Sequence, residues 1–380
     1  MTPWLLISGD FTPLGGMDYA NHALAKYLAS RPGAEVHLVA HRAWYDLAAL
    51  APVKLHSVWR PLNSHLAGMP LLMRAGRRWA RRLTAKGTRV VVNGGNCEWY
   101  DVTWVHYVHA AYCPRRVGSP FYRIKSWATH HHDRAAERRI LTRARTVVCN
   151  SWRTYRDVVE RVGVPEARAH VVYYGVDPER FALITPAERA DARAALGWGN
   201  DQPIVAFVGA LGDRRKGFDT LFAAWKLLCS APSWDGHLAV VGSGAELPAW
   251  QQRARQAGMA GRIYFLGFRK DVQRVLAATD LLVHPARYEA YGLGVHEALC
   301  RGLPALVSAE AGVAERYPSE LRALLLPNPD DVTDLVDRLR HWRSHLAAYR
   351  AAMAPLSDAL RKHSWTTMAE RIVQIVETAA

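Results

Sequence analysis

The chain has 380 residues, half of them apolar, with 49 Lys and Arg against 34 Asp and Glu, a formal charge of +15. That length exceeds one ordinary core and suits two domains. No apolar run approaches the ~20 residues that a spanning helix needs, which argues against a membrane-embedded class. The start, MTPWLLISGD, lacks the charged beginning and small-residue cleavage pattern of a signal peptide, so a cytoplasmic location is expected. The five cysteines are scattered and never form C-x-x-C, which argues against a zinc site or a disulfide framework.

Short apolar strands alternate with helical periods: WLLIS (4–8), a helix near 17–30, VHLVA (36–40), RVVVN (89–93), VTWVHYV (102–108), a helix near 127–142, TVVCN (146–150), a helix near 151–161 and HVVYYGVD (170–177). This alternation predicts α/β architecture with parallel sheets. The segment 181–203 interrupts the rhythm, and it restarts with IVAFVGAL (204–211), a helix at 217–230, HLAVVGSG (237–244), RIYFLGF (262–268), LLVHP (281–285) and LPALVS (303–308). The boundaries drawn are 1–185 and 186–362, with the helix near 363–380 crossing back to the first domain. Ligands of such open sheets bind at the carboxyl ends of the strands.

Four stretches at strand ends carry candidate chemistry. In HPARYEAYGLGVHEALCRGLPALVS (284–308), Glu289 and Glu297 flank Gly292, Leu293 and Gly294, where a helix starts and its free N–H groups suit a phosphate. The bland alternative is that Glu297 only stabilises its helix start and Glu289 pairs with Arg287. In GALGDRRKGFDTLFAAW (209–225), Arg214, Arg215 and Lys216 precede a helix, where cations neutralise a diphosphate leaving group. Gly15 and Gly16 open a helix in TPLGGMDYANHALAKYLA (12–29). His106 and His109 lie at the end of a strand in DVTWVHYVHAAYCPRR (101–116), placed to meet a sugar hydroxyl or move a proton. The run His130–His132 reads as solvated surface. No D-x-D stands at a strand end, so no metal ion is expected.

These pieces, in this order, resemble glycosyltransferase family 4, the retaining group with the GT-B fold, in which two Rossmann-like doubly wound domains face a central cleft. The resemblance rests on GGMDYANHALAKYLA, CNSWRTYRDVVERVGVPEARAHVVYYGVDPERF (149–181), RRKGFDTLFAAW, VVGSGAEL, FLGFRKDV (265–272), the E-x7-E stretch and HSWTTMAERIV (363–373). It implies a nucleotide-sugar donor held by the second domain and a glycan or lipid-linked acceptor held by the first. By that resemblance Glu297 holds the ribose, Glu289 stands near the reacting carbon, and Gly292, Leu293 and Gly294 meet the sugar or phosphates beside Tyr291. Arg215 and Lys216, or Arg214 in place of Arg215, bind the diphosphate, approached from the other domain by Gly15 and Gly16. His109, or alternatively His106, touches the transferred sugar, and the base lies near Gly242, Phe268 and Arg269. Ala210 and Tyr291 depart from the family's usual arginine and phenylalanine.

Charge divides unevenly, with 26 basic against 13 acidic residues in 1–180 and 23 against 21 in 181–380. On a helix over 69–86, Arg74, Arg77, Arg78, Arg81 and Arg82 share one face, with Leu72, Trp79 and Leu83 opposite. The basic stretch 69–89 is therefore expected either to meet an anionic membrane surface or to be an ordinary helix with solvated arginines. A phosphorylase of the same fold is the nearer rival; a nucleic-acid binder is the more distant one, since no such module is recognisable.

Overall fold

The computed structural model describes residues 2–13, 15–114, 120–212 and 214–378. Leu14 of the glycine loop, Asp213 of the basic loop and the arginines at 115 and 116 lie outside the described residues. The chain divides into two compact units. One comprises Met1–Cys113, Ile124–Gly175 and His363–Ala380; the other is built on Val176–Lys362. Residues 176–185, drawn above with the first domain, fall in the second unit.

The first unit is a seven-stranded parallel sheet of β1 (Trp4–Ile7), β2 (Val36–Ala40), β3 (Val53–Ser57), β4 (Arg89–Asn93), β5 (Val102–Val105), β6 (Thr146–Cys149) and β7 (Ala169–Val171). Their order is β3-β2-β1-β4-β5-β6-β7. The central strands are largely apolar runs because a parallel sheet is covered on both faces, and every residue of β1, β2, β5 and β6 is buried, whereas edge strand β3 (VKLHS) exposes Lys54 and Ser57. The stretch 170–177 does not continue as a strand: pairing with β6 ends at Val171.

Three helices of this unit bear on function: α1 (Gly16–Ser30), α2 (His65–Thr84) and α3 (Pro120–Leu141). Helix α2 buries Gly68, Leu72, Gly76, Ala80 and Leu83 and leaves Arg74, Arg78, Arg81 and Arg82 exposed. Trp79 stacks on His56 with ring centroids 3.6 Å apart. The apolar face of α2 is thus spent on its own domain. On α3, His131 and His132 are exposed but His130 is buried, so the reading of the whole histidine run as surface is corrected at that residue.

The second unit starts with α4 (Pro186–Leu196), whose Thr185 cap accepts the Glu188 N–H at 3.1 Å. Its sheet comprises β8 (Ile204–Val208), β9 (His237–Val241), β10 (Ile263–Gly267), β11 (Leu281–His284), β12 (Ala305–Ser308) and β13 (Leu325–Leu326), in the order β10-β9-β8-β11-β12-β13. Helices α5 (Phe218–Cys229) and α6 (Leu293–Cys300) each follow a strand end. The buried carboxylate of Asp280 ties α4 to the sheet: it pairs with Arg189 at 2.6 Å and Arg193 at 2.8 Å, and accepts the Ile204 N–H at 2.9 Å.

The last helix, α7 (Trp365–Thr378), packs in the first unit against α1, through Trp365 edge-on to Tyr19 at 4.9 Å and Glu377 paired with Arg31 at 3.0 Å. Its start touches Gly175, where a Cβ would lie 2.3 Å from the backbone carbonyl of Ser364. Gly175→Ala therefore pushes α7 off its seat. The expected cost is about 2 kcal/mol, as for other overpacked contacts. Hydrogen exchange checks it: protection in 365–378 falls, and unchanged protection contradicts the role given to Gly175.

Candidate functional site

In the second unit, the loops after β8, β9 and β11 touch backbone to backbone because glycine stands at the contacts. A Cβ at Gly242 would lie 1.9 Å from the Gly209 carbonyl oxygen, and one at Gly217 (φ 73°) would lie 1.8 Å from that of Pro285. Main-chain hydrogen bonds fix the register: Leu211 N–H to Ser243 at 2.9 Å, Arg287 N–H to Arg215 at 2.8 Å and Gly242 N–H to Gly267 at 2.8 Å. The basic loop and the E-x7-E loop are thereby held as one surface.

On that surface Glu289 Oε2 accepts a hydrogen bond from the Lys216 ammonium and meets His284 Nε2 at 3.0 Å. Burial opposes ionisation of Glu289, but Lys216, His284 and Arg215 outweigh it and hold the carboxyl well below the usual range. Burial is also the main cause that lowers the pKa of His284. Arg215 donates to the Tyr288 carbonyl at 3.1 Å, beside Glu289. Arg214 turns away: it sits in the left-handed region (φ 55°), pairs with Glu246 at 2.9 Å and lies 5.9 Å over the Trp250 ring. Of the two arginines, Arg215 is the one grouped with Lys216 and Glu289. Arg287 pairs with Asp219 at 2.7 Å and with Asp330, so the alternative Glu289–Arg287 pair is not formed.

Helix α6 begins beside this cluster. Gly292 caps it at φ 105°, a conformation that favours glycine, and a Cβ there would also press on Val313 at 3.1 Å and on Glu289 at 3.3 Å. The N–H groups of Leu293 and Gly294 belong to the first turn, which has no intrahelical acceptors for them, and a Cβ at Gly294 would meet nothing within 4 Å. One turn on, Glu297 is half-buried, and burial pushes its pKa up to about 7 against a modest opposing pull from Arg180. Tyr291 is different: its ring is buried and its hydroxyl bonds His296 Nδ1 at 2.8 Å, so its side chain supports the loop from within rather than lining the surface. Phe268 is 70% exposed next to Gly267, and Arg269 pairs with Asp271 at 2.6 Å.

In the first unit, Gly15 (φ 80°) precedes α1, a Cβ there would meet nothing within 4 Å, and Gly16 is the helix's first residue. His109 lies on a short turn anchored by Glu137, whose carboxyl oxygens accept the N–H groups of His109 at 2.8 Å and Ala110 at 3.0 Å. A cavity of about 310 Å³ joins His109 to Asp18, Arg60, His65 and Asn96. His106 lines the same cavity but is buried: it bonds the Tyr174 hydroxyl, lies 4.4 Å from the Trp104 ring, and burial pushes its pKa down to about 3. The sequence reading passed over Asp18, Glu137 and His284. His284 had a signal, a polar residue closing an apolar strand; Glu137 had none, since its partners are 27 and 28 residues away.

Sequence and structure comparisons agree on the class. The family profile described as Glycosyltransferase Family 4 matches residues 14–180, and that described as Glycosyl transferases group 1 matches 202–344. Similar curated sequences include an uncharacterised glycosyltransferase of Methanocaldococcus jannaschii, 27% identical over 59% of this chain and 57% of its own length. Another is the 2-deoxystreptamine N-acetyl-D-glucosaminyltransferase of Streptomyces fradiae, 29% identical over 76% of this chain and 65% of its own. The chain spans roughly half to two thirds of the length of these relatives. Among solved structures, WaaG, a glycosyltransferase involved in lipopolysaccharide biosynthesis, superposes with a TM-score of 0.76 at 22% identity, covering 98% of this chain and 99% of its own. The fold is thus of the GT-B class. The chain belongs to glycosyltransferase family 4.

The raised pKa of Glu297 has a measurable sign. The native state keeps this proton up to about pH 7, whereas the usual value is 4.5. The native state therefore binds more protons between those values, and stability falls as pH rises through them, by on the order of 2 kcal/mol allowing for partial exposure. Glu297→Gln lacks this loss. Thermal melts should show the variant more stable than the parent at pH 8 and equal to it at pH 4.5; a gap that does not change with pH contradicts the assignment.

Proposed function

We propose that this chain is a retaining, metal-independent glycosyltransferase that moves a sugar from a nucleoside-diphosphate sugar to a glycan or lipid-linked acceptor. The single observation that carries the reading is the Lys216–Glu289–His284 cluster beside the start of α6, with Glu297 one turn further on. Lys216 and Arg215 take the charge of the diphosphate together with the N–H groups of Leu293 and Gly294, the role a divalent ion otherwise fills. Glu297 accepts hydrogen bonds from the ribose hydroxyls, which compensate its burial once it ionises. Glu289, kept anionic, faces the carbon that changes partners and stabilises positive charge developing there. The bond from that carbon to the diphosphate oxygen breaks, the acceptor oxygen bonds to the same face, and its proton passes to the departing phosphate. On the acceptor side His109 positions a sugar hydroxyl. An Anabaena neighbour of the same fold, 17% identical with a TM-score of 0.70, was crystallised with UDP-glucose, which makes UDP the first nucleotide to test.

Glu289→Gln should lower turnover by about 10³-fold, within the range of losing one preorganised electrostatic group, with UDP affinity nearly kept. Glu297→Ala should chiefly weaken the nucleotide, and EDTA should leave the rate unchanged. Release of nucleoside diphosphate rather than sugar phosphate separates this activity from a phosphorylase. Full activity in both variants would remove the assignment.

Location at the cytoplasmic membrane face belongs to the same proposal. No described helix is long and apolar enough to cross a membrane. With Leu72 and Leu83 buried, contact through α2 rests chiefly on its exposed arginines, beside the exposed Leu66 in its first turn. Co-sedimentation with anionic vesicles should therefore fall steeply between 50 and ~300 mM salt as the charges are screened; binding that ignores salt or lipid charge contradicts it.

A further inference from the structure

The function proposed above leaves unused an open pocket of about 640 Å³ in the first unit. Arg77 and Arg81 of α2 line it together with Arg89, Trp99, Tyr100 and Arg145. Arg89 is the first residue of β4 and Arg145 immediately precedes β6. The pocket therefore opens at the amino ends of the strands, whereas Gly15 and His109 follow carboxyl ends.

Its charges do not cancel. Two acids line it. Asp101 pairs with Arg145 at 2.5 Å and also accepts the Val90 N–H at 2.9 Å. Glu98 pairs with Arg77 at 3.3 Å and with Arg139 at 2.8 Å. Arg81 and Arg89 meet no acid among the described residues, which leaves two guanidinium charges in excess. Arg89 Nε is moreover buried with no hydrogen-bond acceptor.

We propose that this pocket binds a phosphate monoester through Arg81 and Arg89. A monoester carries close to two negative charges at neutral pH and presents three acceptor oxygens, which matches two unpaired guanidinium forks. A single carboxylate would leave one of the two cations uncompensated. Trp99 and Tyr100 form an aromatic wall against which the body bearing the phosphate rests. Two sources supply such a group, a soluble sugar phosphate and a phosphatidic-acid headgroup.

Calorimetric titration of the full chain with inorganic phosphate and glucose 6-phosphate, with glucose as the neutral control, tests this. A parallel arm compares vesicles of phosphatidic acid with vesicles of phosphatidylglycerol at matched surface charge. The expected result is binding of the soluble monoesters, or preference for phosphatidic acid over phosphatidylglycerol, reduced at least tenfold in Arg81→Ala/Arg89→Ala while UDP affinity is unchanged. Arg81→Ala alone alters an exposed residue and should fold normally, with a several-fold loss. Binding of soluble monoesters assigns the pocket to a free phosphate; preference for phosphatidic acid alone assigns it to a lipid headgroup. No binding of the soluble monoesters together with equal or no binding to the two lipids, or wild-type affinity in the double variant, overturns the proposal.

Discussion

A carboxylate placed in a largely buried site stays ionised only if cations stand against it, and the second unit is arranged around that requirement at Glu289. Lys216 comes from the loop after β8 and His284 from the end of β11, and both meet the same oxygen of Glu289. The Lys216 contact forms only if the loops after β8 and β11 touch. Gly217 permits this, since any side chain there would occupy the position of the Pro285 carbonyl oxygen. The cluster also sets what a ligand meets: a lysine and Arg215 on one flank, the open start of α6 on the other, and an anion between them. Such a surface favours a group that brings its own negative charge to the cations and develops positive charge at a carbon beside the acid.

Glu297 is the counterpart in which the opposite term wins. It lies eight residues on, has no cation at bonding distance among the described residues, and burial raises its pKa to about 7. Two acids of one short stretch are thus driven apart in acidity by their partners, which is the usual way a fold gives similar side chains different tasks. The first unit repeats the pattern in muted form: burial raises Glu137 to about 7, and its oxygens anchor the backbone of the His109 turn in the wall of the cavity.

Much of this was legible in the sequence because strand runs and glycine positions report local constraints. The parallel sheets follow from runs such as WLLIS and RVVVN, and Gly292 and Gly294 mark the start of α6. What escaped was set by tertiary partners. The helix α4 in the supposed interruption announces itself by Thr185, Pro186 and Glu188, a capping pattern that the change of rhythm overshadowed. His106 and His109 look alike in sequence, three residues apart at a strand end; only packing against Trp104 and Tyr174 makes the first the more deeply buried of the two in the wall of one cavity. Likewise, nothing in DRRK distinguishes Arg214 from Arg215 until Glu246, 32 residues on, claims the former. The amphipathic pattern of α2 correctly separated its arginines from its apolar face, but whether that face was free depended on His56.

The central claim is that the diphosphate of a donor is gripped in the second unit by Arg215, Lys216 and the first N–H groups of α6. A crystal structure with a bound nucleoside diphosphate tests it most directly. The account predicts phosphate oxygens within hydrogen-bond distance of Lys216 Nζ and the Leu293 or Gly294 N–H, with the ribose hydroxyls on Glu297. A nucleotide bound elsewhere, or one whose ribose leaves Glu297 untouched, would contradict it.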